Sequence, residues 1–149
     1  MGDSVMIDAE GPLETDLPGI DVDAAVSRQW STGVAVVASM RANGDLPPRV
    51  VIDLGTNGPI SNGDFREMMA QLSGCARVVF VTVHLDRSWQ DEVNGVLRSQ
   101  APGYPNAVIA DWATLAAQHP EWFYSDGTHL PIGGPGASAL ASLVASSFR

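Results

Sequence analysis

Apolar residues fall along this chain in two rhythms. Short β-branched runs read as buried strands: Arg49 to Leu54, ended by Gly55, then Ala76 to His84, the strongest such signal, then Ala107 to Asp111. Ile20 to Val26 alternates apolar and polar positions, which predicts a further strand. Longer stretches between them carry helical marks. Val5 to Glu14 stops short of Pro18. Trp30 to Arg41 is closed by Asn43-Gly44, and Asp64 to Leu72 follows a capping Ser61 or Asn62. Trp89 to Gln100 is broken by Pro102-Gly103, and Trp112 to Gln118 by Pro120. Gly136 to Ser147 is a small-residue amphipathic helix. Short apolar strands alternating with helices predict an α/β fold, a three-layer α/β/α arrangement around a central parallel sheet. No internal repeat or low-complexity linker is visible, so one domain over residues 1–149 is expected.

Charge narrows the function classes. The 149 residues carry only 8 Lys and Arg against 17 Asp and Glu, a formal net charge of −9. Nucleic-acid binding needs clustered cations on phosphates, and docking on an anionic membrane surface needs the same, so neither is expected. The lone Cys75 opens an apolar run and reads as a small buried hydrophobe. No run of 18 apolar residues occurs. Three His and scattered carboxylates show no metal-ligand spacing, so no metal and no cofactor are expected.

The candidate chemistry lies in three separated segments. Asp126-Gly127-Thr128-His129 sets a carboxylate three residues before an imidazole. On a turn, i and i+3 share a face, so Asp126 can accept from Nδ1–H of His129 and leave Nε2 free as a base. Ser4, in Gly2-Asp3-Ser4-Val5, offers a hydroxyl for that base. Gly55-Thr56-Asn57-Gly58 offers the Asn57 amide as an oxyanion donor, beside the Ser4 backbone N–H. In parallel sheets, ligand sites lie outside the carboxyl ends of the strands, where Ser27-Arg28, Gly55–Gly58 and His84–Trp89 all fall. The chain lacks a Gly-x-Ser-x-Gly elbow, and the Gly55–Gly58 loop lacks the phosphate-cradle pattern.

Taken in order, these three segments resemble the motif blocks of the SGNH (GDSL-like) hydrolase superfamily over essentially the whole chain. Gly2-Asp3-Ser4-Val5-Met6, Val26-Ser27-Arg28-Gln29, Gly55-Thr56-Asn57-Gly58 and Arg87-Ser88-Trp89 with Val93-Asn94 are more narrowly similar to one group. That group is the extracytoplasmic SGNH domain fused to membrane acyltransferases of the peptidoglycan O-acetyltransferase type. The resemblance implies a flavodoxin-like α/β/α fold and a serine nucleophile, Ser4. It implies His129 as general base and then acid, Asp126 as its orienter, and Asn57 as oxyanion donor. The second-block glycine falls at about Arg28, so a backbone N–H at Ser27 or Arg28 is the candidate third donor. Arg87, Trp89 and Asn94 become candidate substrate contacts, or braces for the loop over the site. The family also places a core strand directly before its nucleophile, whereas three residues precede Ser4 here. The chain is therefore expected to be part of a longer protein, with its first strand missing or cut short.

Other residues fit plainer roles. Asp3 reads as a loop-holding carboxylate, and His119 as a charge complement at a helix end. Trp89, Trp122 and Tyr124 suit packing or sugar stacking, and His84 has no assigned role. The implied activity is O-acyl, specifically acetyl, transfer to a cell-surface glycan from an acyl donor. A carbohydrate acetyl-esterase and a non-catalytic glycan-binding domain are the alternatives. The expected location is extracytoplasmic, tethered through an upstream region, with a cytoplasmic one left open.

Overall fold

The computed structural model describes residues 1–149. Its frame is a parallel sheet of β1 (Arg49–Ile52), β2 (Arg77–Val81) and β3 (Ala107–Ala110), in that spatial order. Val51 pairs with Val79, and Val79 in turn with Val108. Successive strand residues point to opposite faces, and both faces are covered. Val50, Ile52, Val78 and Phe80 enter one apolar layer, whereas Val51, Val79, Val81 and Ala110 enter the other.

Helices α3 (Trp30–Asn43), α4 (Asn62–Gln71) and α5 (Gln90–Gln100) cover the first face. Helices α1 (Ser4–Asp8), α2 (Glu10–Asp16), α6 (Trp112–Ala116) and α7 (Pro135–Ser146) cover the second. This is the expected three-layer arrangement. Helix α4 starts on a capping box: Ser61 Oγ accepts from the Asp64 N–H, and the Asp64 carboxylate accepts from the Ser61 N–H. No helix is long and apolar enough to cross a membrane.

Two expectations change. The helix over Val5–Glu14 is two short helices broken at Ala9. Ile20–Val26 is not a strand. Only Ala24 forms a bridge, to Gly2, and Val26 already lies in a turn. A strand forms only where a neighbour supplies a ladder, and the neighbour here is Met1-Gly2-Asp3. That short piece lies between the two: the Gly2 N–H donates to the Asp23 carbonyl, and the Asp3 N–H to that of Asp53. Below it, a groove of about 460 Å³ lies between β1 and the Asp16–Asp23 segment, lined by Met1, Leu17, Ile20, Val37, Leu46 and Val50 among others.

Candidate active site

The turn out of the Met1–Asp3 piece sets the first functional group. A side chain at Gly2 would collide with Met6, so α1 packs hard against the residues that lead into it. Asp3 caps the helix, its Oδ1 accepting from the Val5 N–H at 3.1 Å. The Asp3 side chain is fully buried. Burial pushes its carboxyl above the usual range, and the Val5 N–H and the nearby Thr56 partly offset this. Thr56 faces Asp3 without closing a hydrogen bond to Oδ2, which has no partner. Asp3 therefore sits between the Ser4 turn and the Gly55–Gly58 loop.

Ser4 follows as the first residue of α1 and is half-buried. Its Oγ lies 2.9 Å from His129 Nε2, across 125 residues of sequence. His129 Nδ1 lies 2.8 Å from Asp126 Oδ2. Asp126 Oδ1 also accepts from the N–H groups of Thr128 and His129, at 2.9 and 3.0 Å. Desolvation alone would raise the Asp126 carboxyl, but these backbone and ring donors outweigh it and bring its pKa down to about 2. Asp126 is then a carboxylate at any pH near neutrality. That fixes Nδ1 as the protonated nitrogen and lets Nε2 accept from the Ser4 hydroxyl.

The turn holding this pair is tied down at both sides. The Tyr124 N–H donates to the His129 carbonyl, and the Leu130 N–H to Asp8 Oδ2 of α1, at 3.0 Å. The Asp8 bond links the turn that carries His129 to the helix that carries Ser4. The sequence carries no signal for it, since a lone Asp on a helix is ordinarily solvated.

The Gly55–Gly58 loop follows β1 on the same rim. Gly55 has φ 121°, and a Cβ there would lie 2.7 Å from the Val93 side chain, so the loop folds back only with glycine. Asn57 is half-buried, and its Nδ2 donates to the Arg28 carbonyl over a long 3.4 Å. Ser27 is the one non-glycine residue with positive φ, 59°. A residue held in that region stores strain of order 1 kcal/mol or more, which the surrounding turn sustains. The Arg28 N–H donates to the Ala25 carbonyl at 3.2 Å, so it is not the spare donor that the sequence suggested. The Ser27 N–H makes no such bond. The Arg28 guanidinium is also committed, to the Asp23 carbonyl at 2.8 Å and its carboxylate at 2.7 Å.

The candidate substrate contacts separate. Asn94 is buried, and its amide closes on both the N–H and the carbonyl of Val83, at 2.8 Å each. Buried and with both polar atoms of its amide spent on the end of β2, it is a brace and not a free substrate contact. Trp89 is half-buried against the core, with its Nε1–H unpartnered. Arg87 is exposed and bonds only the Asp86 carbonyl. No cluster of side chains suits a metal ion.

Comparison with known proteins adds to this geometry. No model of a known protein family matches the chain. The solved C-terminal catalytic domain of Streptococcus pneumoniae peptidoglycan O-acetyltransferase A (OatA), with a methylsulfonyl adduct, superposes with a TM-score of 0.81 at 30% identity. The match covers 99% of this chain and 87% of that domain. The chain belongs to this catalytic-domain family. YrhL of Bacillus subtilis is 32% identical over 149 residues, and the peptidoglycan O-acetyltransferase OatA of Listeria monocytogenes 30% over 146. The chain spans only 23% of the length of either relative. An acetyl esterase mutant solved with acetate shares the fold, with a TM-score of 0.70 at 15% identity.

Proposed function

We propose that this domain carries an acetyl group as an ester on Ser4 and transfers it to a hydroxyl of a cell-surface glycan. The observation that carries the reading is the unbroken hydrogen-bond chain from Ser4 Oγ through His129 to Asp126. His129 Nε2 takes the hydroxyl proton as Ser4 Oγ attacks the acyl carbonyl of the donor. It then returns that proton to the leaving group. The oxyanion formed in between is met by the Ser4 N–H, Asn57 Nδ2 and the Ser27 N–H. In the second half, His129 takes the proton of the acceptor hydroxyl as its oxygen attacks the acetyl ester, and returns that proton to Ser4 Oγ as the ester bond breaks. Asp126 keeps the imidazole in its productive tautomer and balances its charge at each transfer. Arg87, exposed on the rim, is a candidate substrate contact.

The acetyltransferase names of relatives at about 30% identity support transfer, and the fold likeness to acetyl esterases fits the same acyl-enzyme chemistry. One observation favours hydrolysis as a competing outcome. The His129 side chain is 39% exposed, so water reaches the base. The non-catalytic glycan-binding alternative leaves the aligned hydrogen-bond chain unexplained.

We further propose that the domain belongs to a longer chain, held outside the cytoplasm by an upstream membrane acyltransferase region that supplies the acetyl group. The fourfold greater length of the relatives supports this.

Product analysis tests the function. The protein is incubated with an activated acetyl ester, with and without a soluble N-acetylglucosamine oligomer, and the products are weighed. Acetylated oligomer is the expected product. Free acetate alone would make the domain an esterase, and an untouched ester would remove the catalytic reading.

A further inference from the structure

His84 takes no part in the chemistry above, yet its place in the fold is telling. It follows Val83 at the carboxyl end of β2. The Val83 side chain is within reach of Gly55, where a Cβ would meet it at 3.3 Å. On its other side, the His84 ring packs against Phe123, with centroids 4.8 Å apart and planes tilted by 34°. Phe123 leads into Tyr124, whose N–H binds the His129 carbonyl and whose own carbonyl accepts from the Gly127 N–H. His84 thus stands between the loop that carries Asn57 and the turn that carries His129.

Its chemical state suits a neutral ligand. The ring is half-buried, forms no hydrogen bond within the chain, and burial lowers its pKa. A neutral imidazole offers one donor and one acceptor, here both unspent. Tyr124, next in the chain after Phe123, is 55% exposed, a large aromatic residue left uncovered at the turn that carries His129.

We propose that His84 and Tyr124 form the binding site for the acceptor sugar: the tyrosine ring packs on a pyranose face, and the imidazole hydrogen-bonds one of its hydroxyls. This rests on the transferase reading and adds which residues select the sugar over water. The ligand class follows from the groups present. They carry no charge to hold a phosphate or carboxylate, and the paired donor and acceptor match hydroxyls. An acceptor held there enters from the His129 side, with the base next to its reacting hydroxyl.

The test reads how the acetyl-enzyme partitions. With an activated acetyl ester and a fixed amount of N-acetylglucosamine oligomer, His84→Ala should lower the ratio of acetylated oligomer to free acetate roughly tenfold, the scale of one lost hydrogen bond. His84→Gln, which keeps a donor and an acceptor, should recover part of it. An unchanged ratio, whether or not total turnover falls, would overturn the proposal. A second arm needs no turnover: oligomer binding to the Ser4→Ala protein is compared with binding to Ser4→Ala/His84→Ala. Roughly tenfold weaker binding in the double variant supports the site even if the wild-type protein leaves the ester intact. Equal binding refutes it.

Discussion

Ser4 and His129 meet at 2.9 Å, yet the two sides of that contact are held in opposite ways. The Ser4 side is fixed by burial. Asp3, Val5 and Met6 are inaccessible or nearly so, and the backbone of Met1–Asp3 is bonded to segments more than twenty residues away on each side. The base side is fixed locally. Asp126 and His129 have side chains 49% and 39% exposed, and apart from the Leu130 N–H to Asp8 the bonds that shape their turn span two to five residues. A buried anchor sets where the hydroxyl is, and a self-contained turn sets how the imidazole points. Damage to the first should cost folding as well as chemistry, whereas damage to the second should cost chemistry alone.

The largest expected effect is common to both sides. Ser4→Ala should reduce turnover of an activated acetyl ester by on the order of 10⁴-fold or more, as read by initial rates, because the covalent step is lost. Asp126→Asn comes next, at roughly 10³-fold, from the wrong imidazole tautomer. Its melting temperature should stay close to wild type, since an exposed turn adds little to stability. If Asp126→Asn melts far lower, the turn is not self-contained and the contrast fails.

Acidity gives a graded effect. An imidazole base works only when neutral, so the rate should fall once acidification protonates it. The carboxyl of Asp126, down at about 2, does not contribute to that limb. Its lowered pKa adds only a small, solvent-screened stability above the ordinary aspartate value, and that contribution fades as the pH falls towards 2. A rate that stays flat from pH 5 to 8 would remove histidine as the base.

The smallest effects probe the anchor. Asp3→Ala removes the cap of α1 and should cost about 1 kcal/mol of stability by denaturant titration, together with activity. Asp8→Ala leaves the Leu130 N–H without its acceptor and should cost a similar ~1 kcal/mol. It should also loosen the tie between the C-terminal end of α1 and the turn that carries His129. Unchanged midpoints in both variants would place the anchoring elsewhere.

The same division explains what could be read from the chain. Asp126 and His129 are three residues apart, so their pairing is a property of the turn and visible as a motif. The three strands are equally legible, because runs such as Val78-Val79-Phe80-Val81 are buried on both faces. Asn57 and Ser4 stood out by their neighbours in short blocks. Long-range partners left no local trace. Ile20–Val26 has a strand's alternation, but its pairing depends on Gly2, and only Ala24 has it. Asn94 resembles a site residue in sequence, but the fold spends its amide on Val83. Arg28 occupies the expected oxyanion block, while the conformation of Ser27 decides which N–H is spare.

The claim on which the account depends is that Ser4 becomes acetylated with His129 as its base. Mass analysis of peptides from protein quenched soon after mixing with an activated acetyl ester tests this most directly. One acetyl group is expected on the peptide containing Ser4, absent from Ser4→Ala and nearly absent from His129→Ala. Turnover of the ester with no acetyl on that peptide, or with the label on another residue, would contradict it.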